Sequence, residues 1–132
     1  MLILTQLLKL KTLLIDFSNA FAQADMPARK TVYLQLPCSF LPAKSYGREM
    51  VLKLKKSLYG QAEALRLWYE KLKVRLKDRG FKTLQIDLCL FISKMVIVVA
   101  YVDDCLIFSK KNLKLINCLS CLKKMGMSTI RR

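Results

Sequence analysis

The amino-acid sequence predicts an α+β fold, in which helices pack on one face of a mainly antiparallel sheet. Three observations favour this class. Two apolar runs in the last third of the chain are separated by a pair of acids, which is the pattern of a β-hairpin. Residues 61–79 carry apolar side chains at helical spacing. No internal repeat or low-complexity linker interrupts the 132 residues, so we expect a single domain or part of one.

The first 25 residues predict a helix, a strand and a second helix. Residues 1–9 form a short helical pattern, and 11–17 (KTLLIDF) form a brief apolar run that predicts a buried strand. Residues 18–25 (SNAFAQAD) follow as a helix. Ser18 is its expected N-cap, and Pro27 comes shortly after its end.

Two alternating segments predict short strands on either side of a loop. Residues 31–37 and 50–55 alternate apolar and polar side chains. The segment 38–48 between them contains a proline and a glycine, which favours a loop.

The clearest helix covers residues 61–79, and Gly80 stands where a left-handed C-terminal cap belongs. Its basic and acidic side chains fall on the face opposite the core. The apolar face is expected to consist of Leu65, Trp68, Tyr69, Leu72 and Leu76.

The rest of the chain predicts three strands and a closing helix. The strands are expected at 88–93, 95–102 and 105–109, because each is a short apolar run. Residues 111–125 form a second basic amphipathic helix.

Composition narrows the class of protein. Hydrophobic residues make up 54% and charged residues 25%, which is typical of globular chains. The longest apolar run, Met95–Val102, has eight residues, whereas a membrane-spanning helix needs about 20. The N-terminus lacks a basic leader and a cleavage site. We therefore expect an intracellular, cytoplasmic protein that has no membrane partner.

The net charge of +15, from 24 basic and 9 acidic residues, favours a polyanionic partner. Nucleic acid is favoured over a membrane surface, because no basic amphipathic helix stands apart from the core pattern. A basic surface that only keeps the protein soluble is the alternative. Phosphate contacts are expected from Lys53, Lys55, Lys56, Arg66, Lys71 and Lys73.

Five cysteines and no histidine limit the chemistry that is available. An odd number of cysteines without a secretory signal predicts free thiols. Cys118 and Cys121 form a single C-x-x-C, for which a helix surface is favoured over a metal or redox site. The absence of histidine excludes Ser-His-Asp and Cys-His nucleophile systems and histidine-containing zinc sites.

Asp103 and Asp104 lie within VVAYVDDCLIF (98–108) and are expected to form the tip of the hairpin. Aspartate is a common turn residue, so an ordinary turn is one interpretation. Adjacent carboxylates also repel each other, and a bound divalent cation removes that cost. Asp16 ends another apolar strand, which could neighbour the hairpin in one sheet. Three carboxylates at one sheet edge suit Mg²⁺, and two such ions about 3.5–4 Å apart stabilise the oxygens exchanged in phosphoryl transfer.

Several motifs resemble those of one family. YVDD, between apolar strands, is similar to the catalytic hairpin of reverse transcriptases. Five further blocks resemble, in order and at matching intervals, the copia-type LTR-retrotransposon reverse transcriptase: DFSNAFAQADMP, VYLQLPCSF, LKKSLYG, RLWYEKL and DLCLFIS. The resemblance extends from about Leu13 to Ser109, and blocks in register are more specific than YVDD alone.

The resemblance implies the palm of an RNA-directed DNA polymerase, which is a nucleotidyltransferase. Asp16 and Asp103 would be metal ligands, and Asp104 would be the third acid of the same catalytic and metal-binding set. The implied cofactor is Mg²⁺, as two ions, with Mn²⁺ as a substitute. The implied partners are an RNA/DNA template-primer and dNTPs, and virus-like particles are a location compatible with the family.

The resemblance also implies a nucleotide site. Phe21 would be the aromatic gate that packs against the sugar of the incoming nucleotide and excludes a 2′-hydroxyl, with an ordinary core phenylalanine as the alternative. Glu63 and Leu65 depart from the commoner Gln and Pro of the family, and a carboxylate near a triphosphate would be repulsive. The implied nucleotide-binding residues are Phe17, Phe21, Tyr59, Gly60 and Arg66, whereas Trp68, Tyr69 and Leu72 are expected in the core.

Residues 1–132 are expected to form a single partial domain. About 15 residues precede Asp16 and 28 follow Asp104, too few for the fingers and thumb of a polymerase. We therefore expect other polymerase domains or an oligomer partner to be needed, and no processive synthesis by the isolated chain. The alternatives are an inactive retroelement remnant and a non-catalytic nucleic-acid-binding module. An RNA-recognition sheet needs exposed aromatics, but Phe91, Tyr101 and Phe108 lie in runs that predict burial.

Overall fold

The computed structural model describes residues 2–40, 50–124 and 130–131. Its helices are α1 (Leu2–Leu7), α2 (Ala20–Gln23), α3 (Ala64–Lys77) and α4 (Asn112–Lys124), with a 3₁₀ turn at Cys38–Phe40. Its strands are β1 (Lys11–Asp16), β2 (Tyr33–Gln35), β3 (Val51–Lys53), β4 (Lys82–Thr83), β5 (Leu90–Ile92), β6 (Ile97–Tyr101), β7 (Asp104–Ser109) and β8 (Ile130–Arg131).

Six strands form the main sheet, in the spatial order β4-β5-β6-β7-β1-β8. Every neighbouring pair in it is antiparallel. β2 and β3 form a separate antiparallel ribbon of two strands. The mixed α/β class with a mainly antiparallel sheet is thus confirmed.

The core lies between one face of the main sheet and the helices. Alternate sheet residues such as Ile15, Val98 and Ile107 are buried against Trp68 and Leu72 of α3. Burying an aliphatic side chain of this size contributes about 1.5–3 kcal/mol. Because β1, β6 and β7 share this covered face, their ends are held in a defined register.

Most predicted elements are present with shorter bounds. Ser18 is not the N-cap of α2, because the helix begins after Asn19, which has a φ of 53° and makes no side-chain cap bond. Gly80 has a φ of 80°, as a left-handed cap requires. Of the predicted loop at 38–48, the first residues form the 3₁₀ turn, and 41–48 lie outside the described residues. The two-residue strands β4 and β8 were not predicted.

Three predictions of burial or exposure are wrong. Leu65 and Tyr101 were expected to be buried, but Leu65 is 50% exposed and Tyr101 is 76% exposed. Cys118 and Cys121 were expected on a helix surface, but both are half-buried against the core. Burial raises the pKa of the Cys118 thiol to about 11, which makes this thiol less reactive at neutral pH.

No helix in the described part of the chain is long and apolar enough to cross a membrane.

Candidate active site

The pairing of β1 with β7 brings two of the three predicted acids face to face. Asp16 lies opposite Asp104 in the antiparallel register. Directly opposite residues project from the same face, with Cβ atoms about 4.5–5.5 Å apart. The preceding pair, Ile15 and Cys105, is buried in the core. Because successive side chains alternate between faces, the acid pair lies on the side of the sheet away from the core.

Val102 and Asp103 form the two-residue turn between β6 and β7. Tyr101 pairs with Asp104 across the hairpin. The tip is therefore one residue earlier than the predicted Asp103-Asp104, and Asp104 is the first residue of β7. Val102 has a φ of 56°, whereas Asp103 is not among the described residues with positive φ. This is the pattern of a type II′ hairpin turn. For a β-branched residue it costs on the order of 1–3 kcal/mol.

Two hydrogen bonds hold this turn to the rest of the molecule. The indole Nε1–H of Trp68 donates to the carbonyl oxygen of Val102 at 2.6 Å. The backbone N–H of Phe17 donates to the carbonyl oxygen of Asp103 at 2.8 Å. The peptide groups before and after Asp103 are thus both engaged, one by α3 and one by the end of β1.

The donor chemistry of the acid pair fits a hard divalent cation. Carboxylate oxygens are the ligands that Mg²⁺ prefers. Among residues 2–40, 50–124 and 130–131, however, no three His, Cys, Asp or Glu side chains are grouped so that they could hold a metal ion. The structure therefore pairs Asp16 with Asp104 and sets Asp103 beside them in the turn, without a complete three-carboxylate cluster.

Phe21 of α2 and Tyr59, which precedes α3, form an aromatic pair. Their ring centroids are 4.4 Å apart and the rings are tilted by 40°. Phe21 is half-buried, and the backbone oxygen of Phe21 accepts a hydrogen bond from the hydroxyl of the buried Ser57. Gly60 has a φ of 87°, and a Cβ at this position would meet no atom within 4 Å. Two of the predicted nucleotide-binding residues are therefore in contact, next to an open turn.

Phe17 lies in the core. Its side chain is 1% exposed and packs edge-on against Trp68, with ring centroids 5.1 Å apart. Its ring is therefore not available at the surface, and only its backbone contributes to the site. The predicted core positions Trp68 and Leu72 are buried, and Tyr69 is partly buried.

Glu63 is compensated by two basic residues. Its carboxylate accepts a hydrogen bond from Lys30 Nζ at 2.7 Å and lies 3.7 Å from Arg66. The Lys30 ammonium, followed by the Arg66 guanidinium, lowers the pKa of Glu63. The charge of the Glu63 carboxylate is thus balanced by two neighbouring cations, one of which is the exposed Arg66 of α3.

Asp25 links two lysines that the sequence assigned to phosphate contacts. Lys56 donates a hydrogen bond to its carboxylate, and Lys71 Nζ lies 3.5 Å from the second oxygen. The hydrogen bond from Lys56, together with the charge of Lys71, lowers the pKa of Asp25. Backbone hydrogen bonds from Met26 to Lys55 and from Ser57 to Ala24 run alongside. Sequence reasoning missed this connection because Lys56 and Lys71 lie 31 and 46 positions from Asp25, and local periodicity gives no information about contacts between such distant residues.

The antiparallel sheet, the YVDD hairpin and the aspartate at the end of β1 agree with the resemblance to reverse transcriptases. The chain belongs to the reverse transcriptase (RNA-dependent DNA polymerase) family, whose family model matches residues 8–129. The predicted relation to the copia-type retrotransposon enzymes is confirmed by the relatives that follow.

Three polyproteins of transposons illustrate the similarity. The chain is 33% identical over 101 residues to the retrovirus-related Pol polyprotein from transposon TNT 1-94 of Nicotiana tabacum. It is 35% identical over 97 residues to that from transposon RE1 of Arabidopsis thaliana. It is 32% identical over 98 residues to the truncated transposon Ty1-A Gag-Pol polyprotein of Saccharomyces cerevisiae. These matches cover 70–73% of this chain but only 6–8% of each polyprotein.

Proposed function

We propose that this chain carries the palm of a retrotransposon RNA-directed DNA polymerase, which joins nucleotides with the help of two divalent metal ions. The observation that carries the proposal is the register of β1 and β7, in which Asp16 lies opposite Asp104 and beside the turn residue Asp103. Family membership supports the same function, because reverse transcriptases usually need divalent metals.

The three aspartates are the proposed metal-holding and catalytic residues. Divalent ions bound there stabilise the attacking and leaving oxygens of an in-line displacement at phosphorus. Asp16 and Asp103 are the proposed main ligands, and Asp104, which shares the face of Asp16, is the proposed third acid of the same metal site. The antiparallel pairing limits how far these carboxylates can move apart.

The aromatic pair Phe21–Tyr59 is the proposed contact surface for the nucleotide. The ring of Phe21 would pack against the sugar and exclude a 2′-hydroxyl, and Tyr59 would support that ring through their contact. Gly60 leaves open space at the turn that follows. Arg66 is the proposed cation for phosphate, held at the start of α3 by Glu63. Phe17 would act only through its backbone.

The proposed partners are an RNA/DNA template-primer, dNTPs and the other polymerase domains of a Pol polyprotein. Residues 1–132 would then act as a partial palm domain. The net charge of +15 supports contact with phosphates.

Calorimetric titration of Mn²⁺ tests the proposed metal site in the intact chain. We expect Asp16→Asn and Asp103→Asn each to weaken Mn²⁺ binding by at least roughly 10-fold, because each removes a hard, charged ligand. Asp78→Asn is the matched control, since Asp78 is an exposed carboxylate at the C-terminal end of α3 and should leave the affinity unchanged. Equal affinity in all four proteins would contradict the proposed site.

A non-catalytic nucleic-acid-binding module is the second candidate. The observation that favours it is the absence, within the described residues, of three acids grouped as metal ligands. Such a module would bind a template-primer duplex equally well with Mg²⁺ and with a chelator. A polymerase palm would bind it more tightly when Mg²⁺ is present, and Asp103→Asn would abolish that difference.

A further inference from the structure

Trp68 reaches from the middle of α3 to the turn that carries the acids. Its side chain is 1% exposed, and its indole Nε1–H donates to the carbonyl oxygen of Val102 at 2.6 Å. This N–H is the only hydrogen-bond donor on a tryptophan side chain. The contact joins residues 34 positions apart in the sequence.

The hydrogen bond acts on the peptide group from which Asp103 starts. The carbonyl of Val102 and the N–H of Asp103 belong to one planar unit. Val102 has a φ of 56°, which a β-branched residue adopts only when its surroundings hold it there. A donor fixed in the core therefore selects this orientation of the Val102–Asp103 peptide.

The same indole also contacts Phe17, the residue that directly follows the strand carrying Asp16. Phe17 packs edge-on against Trp68, with ring centroids 5.1 Å apart. The backbone N–H of Phe17 donates to the carbonyl oxygen of Asp103 at 2.8 Å. Trp68 thus touches the residue after Asp16 and the residue before Asp103, so that one buried side chain links the two segments bearing acids.

We propose that Trp68 is a positioning residue, whose indole N–H sets the orientation of Asp103 relative to Asp16. The inference rests on the proposed function, in which these carboxylates hold divalent ions. A tryptophan that only filled the core would serve equally well without its N–H. The positioning role and the core-filling role therefore predict different effects on metal affinity when the indole N–H is removed.

The test is to replace Trp68 with β-(3-benzothienyl)alanine, which keeps the shape of tryptophan and lacks the N–H. Tyr69→Phe is the matched control, because the Tyr69 hydroxyl also donates to a backbone carbonyl, that of Leu88 at 3.0 Å. The Tyr69→Phe substitution therefore removes one side-chain-to-backbone hydrogen bond from the residue that follows Trp68 in α3. Mn²⁺ affinity is measured by calorimetry at a temperature where circular dichroism shows every protein to be folded.

We expect the benzothienyl variant to bind Mn²⁺ roughly 10- to 100-fold more weakly, as removal of a residue that orients a ligand does. The control should remain within about twofold of the wild type, because its lost hydrogen bond engages the carbonyl of Leu88 and not a peptide group of the turn. In ¹⁵N correlation spectra without metal, the amide signals of Val102 and Asp103 should shift in the benzothienyl variant and stay in place in the control.

If the wild type and the benzothienyl variant bind Mn²⁺ with equal affinity, the positioning role of Trp68 is overturned and the proposed metal site remains intact. Equal weakening in Tyr69→Phe would also overturn it, since the effect would then be general to α3. If the wild type itself binds no Mn²⁺, the proposed metal site fails, and the positioning role fails with it.

Discussion

The main sheet and the two-stranded ribbon have similar sequence patterns of apolar residues but differ in how far those residues are buried. In the main sheet, every second residue of β6 and β7 is covered, and Val98 and Ile107 are at most 1% exposed. In the ribbon, all six residues of β2 and β3 are exposed, among them Leu34 and Leu52 at 45% and 48%. A two-stranded ribbon without a covered face is only marginally stable by itself. The proposed metal site lies on the sheet whose register the core enforces.

The largest contrast is expected in stability. Phe91→Ala in β5 should lower the free energy of unfolding by about 3–5 kcal/mol, because Phe91 is fully buried and its removal leaves a cavity. Leu34→Ala in the ribbon should change it by less than about 0.5 kcal/mol, as an exposed substitution does. Urea unfolding followed by circular dichroism measures both. Similar losses would show that the ribbon is covered in solution.

Substitutions at the contact between Phe21 and Tyr59 test whether the segment that follows the ribbon belongs to the proposed nucleotide site. In a longer polyprotein segment that extends primers, Phe21→Val should relax selection of dNTPs against rNTPs by about 1–3 kcal/mol, the range for one small group in an apolar pocket. Primer extension with matched dNTP and rNTP measures this ratio. Tyr59→Phe keeps both rings in contact and should change it little. Unchanged selectivity in Phe21→Val would assign Phe21 to the core alone.

Binding of nucleic acid should distinguish Lys53 and Lys55, which lie at the end of the ribbon and just after it, from the lysines held by Asp25. No described acid forms an ion pair with Lys53 or Lys55, whereas Lys56 and Lys71 pair with Asp25. Each lysine that contacts a phosphate contributes about 0.7–0.9 to the slope of log K against log salt concentration. Replacing Lys53 and Lys55 by Ala should reduce the slope by about that amount per lysine. The double substitution of Lys56 and Lys71 should reduce it less, and the reverse order would contradict this assignment.

The smallest effect is expected from the ion pairs of Asp25. Its pKa in the folded protein is lowered, chiefly by the hydrogen bond from Lys56. The resulting stabilisation is therefore present above the ordinary carboxyl pKa, and it is lost as the pH falls through the lowered value. Because Asp25 is exposed, it should amount to less than about 1 kcal/mol.

Urea unfolding at pH 6 and pH 3 measures this contribution. The stability of the wild type relative to Asp25→Asn should decrease at the lower pH. A difference between the two proteins that does not change with pH would contradict the assigned role of Asp25.

Local patterns predicted the elements that have one covered face. β1, β6 and α3 were recognisable because their apolar residues recur with the period of a strand or a helix. The exposure of Leu65 could not be predicted, since the buried stripe of α3 runs through Ala64 and Trp68 instead. β8 consists of two residues that pair with β1 across more than 110 positions of sequence, and no local signal reports such a pairing.

The sequence predicted which acids belong to the proposed site, but it did not predict the contacts that hold them in place. Asp16 and Asp104 each stand at the end of an apolar run, so the expectation that the sheet would bring them together could be made from sequence. The hydrogen bond of Trp68 and the ion pair of Lys30 with Glu63 join residues 34 and 33 positions apart. They depend on how α3 docks, which periodicity does not specify. Tyr101 was assigned to the core because it extends an apolar run, although it is exposed next to the turn.

The most direct test of the account is where Mn²⁺ binds. A small fraction of an equivalent of Mn²⁺, added to the ¹⁵N-labelled chain, broadens amide signals near the ion. We predict that the signals of Asp16, Asp103 and Asp104 broaden first, while those of β2 and β3 remain sharp, and that Asp103→Asn removes the effect. Broadening confined to other acids, or the same broadening in Asp103→Asn, would contradict a metal site at this turn.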